Sequence, residues 1–126
     1  MFLYITLGTN DLPRAKIFYQ AVMPTLGLTL HHDDPDEIGY GAPDGRIQFW
    51  VGPPYNKEPA TTANGSMPAF EAKTRAMVDA FHAAGLTAGG TDEGAPGLRP
   101  YGPSFYACYL RDPDGHKLSA VCEIAP

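Results

Sequence analysis

The sequence repeats itself in outline. Phe18-Tyr19 and Phe81-His82 stand 63 positions apart, half the length of the 126-residue chain, and Tyr4 and Met67 are separated by the same interval (81 − 18 = 67 − 4). Two hairpin-turn sequences, APDG (42–45) and DPDG (112–115), echo each other in the same halves. Each half reads strand, helix, strand, strand, strand. A fixed self-offset combined with the same order of elements marks a duplicated unit. It also constrains the architecture: one helix covers only one face of a four-stranded sheet, so the other face must curl around a cavity.

In the first half, FLYITLG (2–8) reads as a strand, and Asn10 or Asp11 can cap a helix that tolerates Pro13 in its first turn. Ala15, Phe18 and Val22 recur at helical spacing, and Gly27 stops the helix. LTLHHDD (28–34), EIGYGA (37–42) and RIQFWVG (46–52) follow as strands, the last two joined by Pro43-Asp44-Gly45. In the second half, MPAFEA (67–72) is a strand, and a helix from about Thr74 carries Met77, Phe81 and Ala84 on one face. A weak strand near Thr91, a Gly- and Pro-rich loop (94–104), a strand SFYACYL (104–110) and a last strand KLSAVCE (117–123) complete it. The expected fold is α+β, one domain over 1–126, with module one at about 1–55, a polar linker at about 56–65 and module two at about 66–126.

Alternation along the strands assigns faces. Leu3, Ile5, Leu7, Ile47, Phe49, Val51, Pro68, Phe70, Leu118, Ala120 and Cys122 suit the helix side. Tyr4, Gln48, Trp50, Met67 and Ser119 are left as the inward set, joined by either Tyr106 or Tyr109, which differ by an odd number. Composition narrows the function classes. A formal charge of −5 with nine Lys and Arg and no basic cluster argues against nucleic acid. No apolar run approaches the roughly 20 residues of a membrane span, and no leader-like segment opens the sequence, so a soluble cytoplasmic protein is expected. Cys108 and Cys122 are expected to be reduced core residues.

NDLPRAKIFY (10–19), VDAFHAAGLTAGG (78–90), GAPGLRPYGP (94–103) and RDPDGHKLSAV (111–121), together with the paired modules, resemble the vicinal oxygen chelate superfamily of glyoxalases, bleomycin-resistance proteins and extradiol dioxygenases. The resemblance implies two βαβββ modules and, in the enzymes, a divalent metal held by His and Glu side chains from four inward positions. Imidazole and carboxylate donors suit such a metal, and its open positions polarise a substrate's vicinal oxygens. Carried over, the histidine positions fall on Tyr4 and Met67, the C-terminal glutamate on Ser119, and the first-module carboxylate on Gln48 or Trp50. None of these is an imidazole or a carboxylate, so no cofactor is expected. The resemblance also brings the 94–104 loop to the cavity mouth, where Arg99 is a candidate clamp for a carboxylate or phosphate and Tyr101 a further lining residue. It further implies a homodimer.

Four histidines remain. His31 and His32 are adjacent on a strand and point to opposite faces, with His32 sharing the parity of Leu28 and Leu30; His82 and His116 read as surface residues. The Asp92-Glu93 pair reads as a solvated face. The expected function is binding of a small aromatic or apolar molecule without the usual metal, through Tyr4, Gln48, Trp50, Met67, Arg99, Tyr101 and Ser119. The alternative is a lyase or dioxygenase of the glyoxalase type, using an unconventional metal set or Tyr and His as acid and base.

Overall fold

The computed structural model describes all 126 residues. Module one contains β1 (Ile5–Gly8), α1 (Leu12–Val22), a 3-10 turn (Met23–Leu26), β2 (Thr29–Asp33), β3 (Ile38–Gly41) and β4 (Ile47–Gly52). Module two contains β5 (Ala69–Glu71), α2 (Arg75–Thr87), β6 (Thr91–Leu98), β7 (Tyr106–Arg111) and β8 (Lys117–Cys122). The sheets run β1-β4-β3-β2 and β5-β8-β7-β6, with only the β1–β4 and β5–β8 pairs parallel. The duplication is therefore present in register as well as in order: Thr6 pairs with Trp50, and Ala69, 63 positions later, pairs with Ser119.

Both helices start where the caps predict. Asp11 accepts a hydrogen bond from the Arg14 backbone N–H and Thr74 from that of Met77, each at 3.1 Å. Gly27, at φ 74°, closes the first helical segment in the left-handed region.

The helix-facing sides of both sheets share a single core. An aromatic chain runs through it from Phe18 to Tyr19 (5.0 Å between ring centroids), Phe49 (5.1 Å), Phe70 (5.2 Å) and Phe81 (6.0 Å). Phe49 belongs to β4 and Phe70 to β5, so the two sheets turn their covered faces toward each other. Their curled faces must then point outward. Thr6, Gln48, Met67, Ala69 and Glu71 are accordingly exposed, and the sheets do not close into a barrel within one chain.

A polar knot ties module two to module one. The buried Asp112 carboxylate accepts from the Tyr19 hydroxyl at 2.5 Å and from the backbone N–H groups of Asp114 and His116 at 3.0 and 2.9 Å. Asp114 accepts from the Thr9 hydroxyl, the Asn10 backbone N–H and the Arg14 guanidinium. His116 Nε2 lies 2.7 Å from the Gly8 carbonyl oxygen. His116 is thus buried and not a surface residue, because the hairpin turn that carries it docks on the start of α1.

Other expectations need correction. The first strand begins at Ile5, so Leu3 and Tyr4 lie outside it and are 56% and 54% exposed; alternation no longer hides Leu3. Residues 94–98 are not loop but the second half of β6, an irregular strand with register shifts around Gly94. As the edge strand it tolerates Pro96, whose missing N–H interrupts no central ladder. His82 is buried too, because α2 packs on β6 and its Nε2 lies 2.8 Å from Asp92.

That contact, more than any other, holds the exposed Asp92 carboxyl below its ordinary range. A depressed carboxylate pKa contributes stability above the unfolded value, which is lost as pH falls through the folded one. Asp92→Asn should therefore melt below wild type at pH 6, and the gap should close as pH falls below about 4. Thermal melts of both proteins across this range check it; a constant gap would mean the Asp92 carboxylate contributes nothing pH-dependent.

Candidate functional site

The candidate residues fall into two groups, one on the outer face of each sheet. On the first, Trp50 is half-buried, pairing with Thr6 of β1 and Gly39 of β3. A Cβ at position 39 would come within 3.0 Å of the indole, so glycine there lets the ring lie against β3. His32 also pairs with Gly39, because a register shift between Leu30 and His32 turns the imidazole to the outer face. Its ring centroid lies 5.3 Å from that of Trp50, and Nε2 lies 2.7 Å from Asp34. Strict alternation placed His32 with Leu30; the bulge carries no sequence signal that would have revealed this.

Gln48 is exposed and is the extra residue at a register shift in β4; past it Ile47, expected on the helix side, stands on the Trp50 face instead, with its Cγ2 2.8 Å from where a Cβ at Gly39 would be. Tyr4 precedes the Ile5–Phe49 pair. Gln48 and Tyr4 also line a crevice of about 240 Å³ at the seam of the modules, where Tyr40, Phe49 and Phe70 form an apolar wall and Ala69 closes the far side. The buried Tyr40 hydroxyl has no hydrogen-bond partner, and burial pushes its pKa far above that of an ordinary phenol.

On the second face, Ser119 is fully buried and its Oγ has no partner. Across the ladder it faces Tyr109, which settles the choice between the two tyrosines: Tyr106 turns to α2, where its hydroxyl donates to Asp79 at 2.6 Å. The Arg99 guanidinium and the Lys117 ammonium lie over the Tyr109 ring, 5.3 and 5.5 Å from its centroid. Met67 is 41% exposed near the start of β5. Tyr101 stands apart from this group, 72% exposed with its ring against Phe105. Asp92 and Glu93 are each engaged, the former by His82 and the latter by Arg111 at 2.6 Å.

The paired registers also bear on the first-module carboxylate position. Trp50 is to Thr6 as Ser119 is to Ala69, so the duplication matches Ser119 to Trp50 and not to Gln48. The four positions then offer a phenol, an indole N–H, a thioether and a hydroxyl. The indole only donates, the thioether is soft, and the phenol and hydroxyl oxygens are weak ligands for a divalent metal. No three His, Cys, Asp or Glu side chains come together as a metal-sized group anywhere in the chain. This donor set does not fit a conventional divalent metal.

The sequence profile described as Glyoxalase/Bleomycin resistance protein/Dioxygenase superfamily matches residues 2–119. The chain belongs to that superfamily. A solved glyoxalase/bleomycin resistance protein from Albidiferax ferrireducens T118 is 41% identical, with 100% of this chain and 99% of that one covered at a TM-score of 0.86. A glyoxalase-related enzyme from Fulvimarina pelagi (23% identity, 97% and 87% covered, TM-score 0.74) shares the superfamily fold. So does a lactoylglutathione lyase from Agrobacterium tumefaciens (23%, 97% and 92%, TM-score 0.65). At that identity the last two speak for the fold alone. Among curated proteins there is no match. As a superfamily member this chain keeps the paired modules of the fold. No helix is long and apolar enough to cross a membrane.

Proposed function

We propose that this superfamily member binds a small aromatic or apolar molecule without a divalent metal. The observation that carries the reading is the chemistry at the four ligand positions, Tyr4, Trp50, Met67 and Ser119, where aromatic, thioether and hydroxyl groups stand in place of imidazoles and carboxylates. The apolar crevice beside Tyr4 and Gln48 and the half-buried indole of Trp50 supply surface for such a molecule. Outward-facing sheets suit a site completed by a second copy of the chain. The exposed apolar run Met1, Phe2, Leu3 and Tyr4 favours an interface, and light scattering should give a dimer at micromolar concentration.

A panel of aromatic acids, quinones and aromatic antibiotics, titrated calorimetrically into chelator-treated protein, tests the reading. Saturable binding at about one ligand per chain is expected, unchanged after addition of Zn, Ni, Mn or Fe(II). Binding that requires one of these metals contradicts it. A second reading, acid–base chemistry, is favoured by one observation, the His32–Asp34 pair beside Trp50. It requires turnover in metal-free protein that is lost in His32→Asn. Isomerisation of a hemithioacetal or cleavage of a catechol that appears with one metal and disappears with chelator would contradict both.

A further inference from the structure

The fold does not hold its asparagines equally. Asparagine is labile because the backbone nitrogen of the next residue can attack its Cγ and expel the side-chain amide. A hydrogen bond that engages either the carboxamide or that nitrogen opposes the attack. The chain has three asparagines, and two of them are engaged at both points. Asn10 accepts from the Ala60 backbone N–H at 2.7 Å and donates to the Ala60 carbonyl at 3.1 Å, while the Asp11 N–H that follows it donates to Thr9 Oγ1. Asn56 accepts from the Glu58 N–H at 3.0 Å, and the Lys57 N–H that follows it donates to the Pro54 carbonyl. Aspartate before glycine is open to the same attack, and both such pairs are held as well. In the two hairpin turns the Gly45 N–H donates to the Ala42 carbonyl and the Gly115 N–H to that of Asp112.

Asn64 is the exception. It is exposed in the linker, its carboxamide makes no hydrogen bond, and neither does the Gly65 N–H that follows it. The bond that closes this turn lies outside the pair, from the Ser66 N–H to the Ala63 carbonyl at 3.0 Å. Gly65 stands at φ 101° with nothing within 4 Å of where a Cβ would be, so no side chain shields the nitrogen and the backbone has room to swing toward Cγ. Asn64 also lines a cleft of about 310 Å³ together with Met67, Arg111 and Lys117. The two cations are partners across the β7–β8 ladder; Glu93 engages Arg111, whereas Lys117 pairs with no carboxylate.

We infer that Asn64 is a site of spontaneous covalent modification, converting to aspartate and isoaspartate and adding a carboxylate to the cleft that Arg111 and Lys117 line. Hydroxide takes the proton from the Gly65 nitrogen, which forms a bond to Asn64 Cγ; the bond from Cγ to the side-chain nitrogen breaks, and ammonia leaves. Water then opens the five-membered imide at one carbonyl or the other, giving aspartate or isoaspartate. No electrons are exchanged with any partner. The chain becomes more negative by one charge, and the isoaspartate form adds a methylene to the backbone of the linker, three residues from Met67. The modification is independent of whether the outer sheet faces bind a ligand.

Peptide mapping by mass spectrometry, on intact protein kept folded in mildly alkaline buffer for several weeks, tests the site. The peptide containing Asn64 should gain one dalton and separate into two species, at least tenfold faster than the peptides containing Asn10 and Asn56 change. Asn64→Gln, which would have to close a larger ring, should keep its original mass. In Asn64→Asp, which imitates one product directly, the Lys117 side-chain NMR signals should shift from their wild-type positions, and high salt should reduce the shift. Conversion of Asn64 no faster than that of Asn10 and Asn56 overturns the modification site. Lys117 signals that do not move in Asn64→Asp overturn the placement of the new carboxylate in the cleft.

Discussion

Replacing Asp112 by alanine is expected to lower the unfolding free energy by about 4 kcal/mol, the largest loss for any single polar side chain in the molecule. The carboxylate is 4% exposed and serves three donors at once, the Tyr19 hydroxyl and the backbone N–H groups of Asp114 and His116. Truncation strands all three, and Tyr19 is fully buried, so water cannot substitute. Each orphaned buried donor costs about 1–3 kcal/mol. The turn would also loosen around Asp114, which holds Thr9, Asn10 and Arg14. Burial is the main reason that the Asp112 pKa is raised, so part of the loss offsets a charge that is costly to keep. Tyr19→Phe, which removes one bond and keeps the ring in the aromatic chain, should cost about 1–2 kcal/mol. Urea unfolding followed by two independent probes gives both numbers. A loss below 1 kcal/mol for Asp112→Ala would mean the modules hold together through the aromatic core alone.

The second large effect is a gain. If only the ligands differ from those of the metal-binding relatives, the scaffold should accept them back. Tyr4→His, Trp50→Glu, Met67→His and Ser119→Glu combined should take up Zn or Ni with micromolar or better affinity, and the starting protein should take up neither. The matched registers of Thr6–Trp50 and Ala69–Ser119 select Trp50 for the carboxylate, so the same set with Gln48→Glu in place of Trp50→Glu should bind more weakly. The two faces point outward from a shared core, and metal uptake should therefore depend on protein concentration if a second copy completes the site. Calorimetry across a tenfold concentration range reads both. If neither combination binds metal in folded protein, the four positions do not converge.

Much of this molecule was legible in its sequence, for identifiable reasons. The 63-residue offset, the two caps and the apolar spacing of both helices are local signals, and local signals survive into the fold. Burial of Phe49, Val51, Leu118 and Ala120 followed from simple alternation. What escaped depends on departures from regularity or on distant partners. One extra residue in β2 turned His32 beside Trp50, and no single-sequence pattern marks a bulge. His116 and His82 looked exposed because their partners, Gly8 and Asp92, come from other elements. Arg99 was visible as an isolated cation in a Gly-rich stretch. Its place over Tyr109 with Lys117 required the β6–β7–β8 register, which the sequence did not show while residues 94–98 read as loop.

The single tryptophan gives the most direct test of the central claim, that the sheet face carrying Trp50 is a metal-independent binding surface. Its emission should change and saturate at about one ligand per chain when an aromatic compound is titrated into protein kept in excess chelator. Tyr4→Ala should weaken the response, as should Met67→Ala if a second copy brings the outer face of module two against that of module one, whereas Phe18→Ala, in the core away from the crevice, should cost about 3–5 kcal/mol of stability instead. A response absent from every aromatic compound in chelator, or restored only when a divalent metal is supplied, would contradict that claim.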